Sequence, residues 1–155
     1  MKGAAVFPSV FGRLFSSGSS NPRAFGISMK TYRSHVMRDL RWLLNTRCQP
    51  KSALVHAFKN VESSTVNYGL QDLVGSLESQ IEPEDMVMAV KTAIVRFEPR
   101  IIASSVVVAL VGGSHSFNAD FFSLEIQGDL WALPVNEPLT LRSLWNGVAG
   151  RWLVE

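Results

Sequence analysis

One cysteine, Cys48, stands in a chain of 155 residues. An intramolecular disulfide is thereby excluded, which fits a reducing compartment. No His or Asp adjoins Cys48 to activate its thiol, so it reads as a small residue following a helix. Charge is scarce too: Asp, Glu, Lys and Arg make up 18%, against about 25% in an ordinary soluble domain. The formal net charge is only +2 and the basic residues form no dense run, which argues against a nucleic-acid partner. No stretch approaches the roughly 20 apolar residues of a membrane-spanning helix, so no direct membrane insertion is expected. The three histidines, His35, His56 and His115, are far apart and lack metal-ligand spacing. Gly112-Gly113-Ser114 lacks the first Gly and the Lys of a phosphate-binding loop. No cofactor and no metal are expected.

Apolar residues, by contrast, are plentiful: 46% of the chain, with four Trp and nine Phe. A chain of this length forms one domain and buries about 68–70% of its unfolded surface. The apolar surplus therefore implies either a generous core or a surface covered by a partner. At the start, Lys2 followed by Ala4-Ala5-Val6-Phe7 faintly resembles a secretory signal, but Pro8 and Arg13 interrupt it and no small-x-small cleavage site follows. Val10, Phe11, Leu14 and Phe15 share one face at helical spacing, and Ser16-Ser17-Gly18-Ser19-Ser20-Asn21-Pro22 has the composition of a flexible linker. Residues 1–22 are thus expected to be a docking segment with a tether, with Phe11 and Leu14 as its anchors. Residues 23–155 would be the folded domain. The docking segment packs either on its own domain or on a partner subunit.

Within that domain the pattern is helices first and strands later. A helix is expected from about Ser28, a suitable N-cap, to Asn45, with Tyr32, Val36, Leu40, Leu43 and Leu44 as its apolar stripe. Tyr68 and Leu70 are expected to anchor a following loop. A second helix should begin near Pro83, where Glu84 and Asp85 favour the positive end of its dipole. Val87, Val90, Ile94 and Phe97 fall on one face of it, and Pro99 disfavours helical geometry at Glu98. Ile102 to Leu110 is rich in β-branched residues; Val106, Val108 and Leu110 alternate, as do Phe122, Leu124 and Ile126. Leu139 and Leu141 start another strand, Asn146-Gly147 is a hairpin signal, and residues 151–154 form the last strand. This order predicts an α+β fold, a single domain with N-terminal helices packed on a mainly antiparallel β-sheet.

Little in this chain has the chemistry of catalysis. A glycosidase needs two carboxylates about 5–9.5 Å apart. Asp39, Asp72, Glu98 and Glu125 are available, but no spacing brings a pair of them together. Glu98 and Arg100 straddle Pro99, and in an extended segment they would point the same way. They either pair with each other, or with Arg96, and fix the helix-to-strand corner, or engage a charged pair on a partner. An Arg100→Glu variant separates these: loss of assembly with an intact fold for the second, loss of the fold for the first. Trp42 reads most simply as a core or boundary aromatic, with a partner-facing role as the alternative. Arg38, Arg41 and Arg47 read as solvated charge on the polar side of the first helix.

Three phrases together carry a resemblance: Arg38-Asp39-Leu40-Arg41-Trp42-Leu43-Leu44-Asn45-Thr46-Arg47, Asn67-Tyr68-Gly69-Leu70, and Phe97-Glu98-Pro99-Arg100. Pro8-Ser9-Val10-Phe11-Gly12-Arg13-Leu14 and Leu139-Thr140-Leu141-Arg142-Ser143 extend it. The chain resembles the E subunit (TssE) of the type VI secretion baseplate, a relative of the phage-tail wedge proteins long labelled tail lysozymes. The resemblance implies a structural subunit, not a hydrolase, in a six-fold hetero-oligomeric baseplate. That baseplate lies in the cytoplasm, beneath a contractile sheath and docked at the inner membrane complex. Its partners would be the F and G type wedge subunits and the sheath subunits. Edge strands would start sheath growth by β-augmentation, and Glu98, Pro99 and Arg100 would contact the neighbouring wedge core. Trp152, in the candidate edge hairpin, would be a further partner contact. The chain departs from the pattern at Arg41, where an acid is common, and at Gln71, where Pro is common. Its C-terminal hairpin, with Leu144, Trp145 and Trp152, is also unusually apolar.

Overall fold

A computed structural model describes residues 27–48, 58–62, 64–70, 82–112, 121–132 and 136–154. Helix α1 (Met29–Asn45) starts where the Ser28 hydroxyl accepts the Thr31 N–H at 3.1 Å, a side-chain cap for an otherwise orphaned donor. Its buried face is Tyr32, Val36, Leu40, Leu43 and Leu44, the expected stripe. A single helical turn (Lys59–Glu62) and a 3₁₀ turn (Thr65–Asn67) follow. Helix α2 (Pro83–Phe97) has Pro at its start and Glu84 and Asp85 in its first turn. Its buried face is Met86, Val90, Ala93 and Ile94, while Val87 and Phe97 flank the core, half-buried. The stripe is therefore rotated slightly from the expected one, because Met86 and Ala93 enter the core together with Val90 and Ile94.

Four strands complete the domain: β1 (Val107–Leu110), β2 (Phe121–Leu130), β3 (Glu137–Asn146) and β4 (Arg151–Val154). They form one sheet in the order β1-β2-β3-β4, every neighbour antiparallel. Alternation decides the faces: Val108, Phe122, Leu124, Ile126, Leu139, Leu141, Trp145, Trp152 and Val154 all turn into the core. The β-branched run after Ile102 is not all strand. Residues Ala103–Ser105 form a 3₁₀ turn, since the Ser105 hydroxyl donates to Ile102 C=O and accepts the Asp129 N–H, both at 2.8 Å. The turn signal at Asn146-Gly147 holds, with a four-residue loop in place of two. Asn146 pairs with Arg151, its side-chain oxygen accepts the Ala149 N–H, and Gly150 takes φ +59°.

The loop ending at Leu70 is clamped to the end of α1. Cys48 N–H donates to Leu70 C=O and Leu70 N–H to Thr46 C=O, both at 2.8 Å. Gly69 between them sits at φ +119°, and a Cβ there would collide with the Thr46 carbonyl. Leu70 is buried and Tyr68 lies edge-on to Phe97 at 5.3 Å, so both expected anchors are in place. Among the described residues no helix is long and apolar enough to cross a membrane.

Candidate functional site

Pro99 turns the chain from α2 toward the sheet. Glu98 N–H closes the helix on Ile94 C=O, and Ile101 N–H returns to Glu98 C=O at 3.1 Å, so the corner is a turn and not the extended segment expected. The turn is spliced to the end of β2. Trp131 N–H donates to Arg100 C=O at 2.8 Å, Ile102 N–H to Asp129 C=O at 2.9 Å, and Ile101 bridges Leu130. Tyr32 on α1 adds its hydroxyl to Trp131 C=O at 3.1 Å. Thus α1, the end of α2 and the end of β2 meet at this corner.

The turn brings Glu98 and Arg100 together directly. Glu98 is 3% exposed. Its Oε1 accepts Arg100 Nε at 2.7 Å and the Arg100 backbone N–H at 3.2 Å, while its Oε2 accepts Nη2 at 2.6 Å. The same Nη2 donates to Asp39 Oδ2 at 2.7 Å, and Asp39 Oδ1 accepts Arg38 Nε at 2.9 Å. Burial alone would push the Arg100 guanidinium below its usual value. Hydrogen bonds and charge from Glu98, and then Asp39, outweigh burial and hold it above that value. A planar guanidinium suits this task, because its fork meets one carboxylate with two nitrogens and still reaches a second. Arg96, a further possible partner of Glu98 in the sequence, is not part of this bonded set.

The network ends at the surface. The Arg38 guanidinium carbon stands 4.9 Å from the centre of the Trp42 ring, and Trp42 is 53% exposed. Trp42 is therefore not a core aromatic. It lies about 200° around α1 from Leu40, opposite the buried stripe. Pro99 is exposed and Arg100 half-buried, so the corner presents a proline and part of a guanidinium over a buried acid.

The other candidate contacts fall elsewhere. Phe11 and Leu14, with the linker to Pro22, lie outside the described residues, as does Asp72. Trp152 turns its ring into the core, 4% exposed, tilted against Trp145 at 5.3 Å and edge-on to Phe122 at 5.4 Å. The apolar surplus of the hairpin thus goes inward through two Trp, leaving Leu144 and Leu153 on the outer face. Of the four carboxylates considered for hydrolysis, Asp39 and Glu98 do come together. Arg100 lies between them and bonds both, so this pair does not flank a vacant cleft.

Two polar residues of α1, Asn45 and the Arg41 that reads as solvated charge, have work to do on β4. Asn45 Oδ1 accepts Trp152 N–H at 2.8 Å and Nδ2 donates to Trp152 C=O at 3.1 Å. Arg41 donates to Val154 C=O from Nε at 3.2 Å and from Nη2 at 2.9 Å. The only sequence signal was that both sit one turn apart on α1; nothing local names their partners.

A family model described as baseplate wedge protein gp25 matches residues 30–135, a span that holds α1 from its second residue on, α2, the Glu98–Arg100 corner, β1 and β2. No curated protein and no solved structure matches.

Proposed function

The chain belongs to the gp25 family of baseplate wedge proteins, and on that premise we propose that it is a non-catalytic structural subunit of a type VI secretion baseplate. It binds the wedge complex of F and G type subunits and starts contractile sheath assembly by edge-strand interaction. It works in the cytoplasm, in a six-fold assembly docked at the inner membrane complex, without nucleic acid.

The observation that carries this reading is the Glu98-Pro99-Arg100 corner inside the matched span. A contact surface must hold its shape before the partner arrives. Here Pro99 is exposed on a turn whose charges are bonded from within by Glu98 and Asp39. Pro99 and Arg100 meet the partner, and Glu98 holds them from below. Trp152 serves by packing the hairpin, and Phe11 and Leu14 dock on a neighbouring subunit. The engagement of both Glu98 oxygens by Arg100 supports a role other than general acid.

The test is size-exclusion chromatography of the chain co-expressed with the F and G type subunits of its own system. Co-elution as a stoichiometric complex is expected. A free monomer beside soluble partners would overturn the assembly role. Since the matched family is described by a wedge protein, the second reading is the equivalent part of a phage-derived contractile particle. Substituting the wedge subunits of such a particle in the same experiment separates the two.

A further inference from the structure

We propose that the sheet edge which accepts a partner strand is β1 and that β4 is held shut by α1; this rests on the edge-strand reading above.

The argument starts from which way each strand turns its hydrogen-bonding groups. Successive residues of a strand direct N–H and C=O to opposite sides. On β4, Trp152 and Val154 turn outward, away from β3. Both outward groups of Trp152 are taken by Asn45, and the outward carbonyl of Val154 is taken by Arg41. The second hydrogen of the Asn45 amide goes to Arg41 C=O at 2.9 Å, which fixes the side chain across the strand. A strand arriving at β4 would have to displace four hydrogen bonds before making its own.

The opposite edge differs. Val111 N–H donates to Ser123 C=O at 2.8 Å, so residues in step with it, Ala109 and Val107, face β2. Val108 and Leu110 then turn their N–H and C=O away from the sheet. The sheet ends at β1, and among the described residues none of those four groups has a bonding partner outside it. Nor does the strand carry the usual guards: Val107-Val108-Ala109-Leu110 has no Lys, no Pro and no inward-pointing charge. Val107 is 53% exposed.

The occupant that fits is a short extended strand of the sheath subunit. Residues of it that extend the row of Val108 and Leu110 continue the core face and should be apolar. Those beside Val107 and Ala109 meet small or β-branched neighbours. An uncapped row of donors and acceptors gives affinity, and alternate side chains give specificity.

The experiment is hydrogen–deuterium exchange, read by mass spectrometry, on the subunit alone and in complex with the sheath subunit of its own system. Exchange in peptides spanning 107–111 should slow roughly tenfold or more in the complex, while peptides spanning 151–154 stay as they were. Slowing at 151–154 in place of 107–111 would overturn the edge assignment and leave strand addition standing. A complex that protects neither strand would overturn both the edge assignment and strand addition. Failure of any complex to form would overturn the sheath-binding reading, and this assignment with it.

Discussion

Asn45 holds Trp152 by both of its backbone groups, across 107 positions of sequence. The side chain has one acceptor and two donor hydrogens, and all three are used, the last on Arg41 C=O. A carboxylate in its place keeps the acceptor and turns negative oxygens toward two carbonyls. Asn45→Asp should therefore lose about 1–3 kcal/mol of stability. Urea denaturation checks this, and exchange at the Trp152 amide should quicken only modestly, since that bond survives.

Removing Arg100 strands an acid. With Arg100→Ala, Glu98 stays buried and loses both side-chain partners, and Asp39 keeps only Arg38. Breaking one partner of a buried pair costs about 3–5 kcal/mol. Thermal unfolding of this variant should show a large loss. Arg100→Glu should be worse, because three carboxylates would then meet. A double variant, Glu98→Gln with Arg100→Met, should recover much of the loss while still removing the guanidinium from the surface. That pair is the better probe of assembly.

Ser143 points the other way. Its side chain is fully buried on β3, and its hydroxyl has no bonding partner among the described residues. An unmet buried hydroxyl costs about 1–3 kcal/mol. Ser143→Ala should raise the urea midpoint, by an amount corresponding to about 1 kcal/mol. An unchanged midpoint would mean that the hydroxyl is satisfied.

The two tyrosines provide a pH test. Burial raises Tyr32 above its ordinary value, with Arg100 pulling down and Glu98 pushing up. Burial raises Tyr68 as well, helped by Asp39 and Glu98. A phenol whose pKa is higher in the folded state keeps its proton while the unfolded chain loses it. Stability from this source is whole below about pH 10 and falls as pH rises beyond it. Tyrosinate absorbance near pH 10 should therefore be lower in the folded protein than in denaturant.

Gly69→Ala should be costly for a local reason. The site demands φ +119°, and the new Cβ would meet the Thr46 carbonyl that accepts Leu70 N–H. A loss of about 2 kcal/mol or more is expected by chemical denaturation.

Much of this fold could be read in the sequence because its signals are local. Ser28 caps α1, Pro83 opens α2, and the alternation of Phe122, Leu124 and Ile126 is the inward face of β2. The candidate site was legible only in part. Glu98 and Arg100 are two residues apart, so their pairing was one of two open readings. Asp39, the third member, is 61 positions from Arg100, and no periodicity points to it. Trp42 misled through its hydrophobicity; the helical angle already placed it opposite Leu40. Arg41 reads as solvent-facing, and Asn45 only as the end of a helix, since their partners are backbone groups, which every residue carries and no side chain announces.

The strand order has a further consequence, for the time course of folding. Every strand pairs with its neighbour in sequence, so each hairpin can close from contacts made soon after it is synthesised. The last turn of α1 is different: made early, it finds its partners only when residues 152 and 154 appear. Until then, Asn45 and Arg41 lack their β4 partners, at the end of a helix whose apolar stripe is also waiting for the sheet. While β4 is undocked, the end of α1 offers those same side-chain groups to any other extended segment.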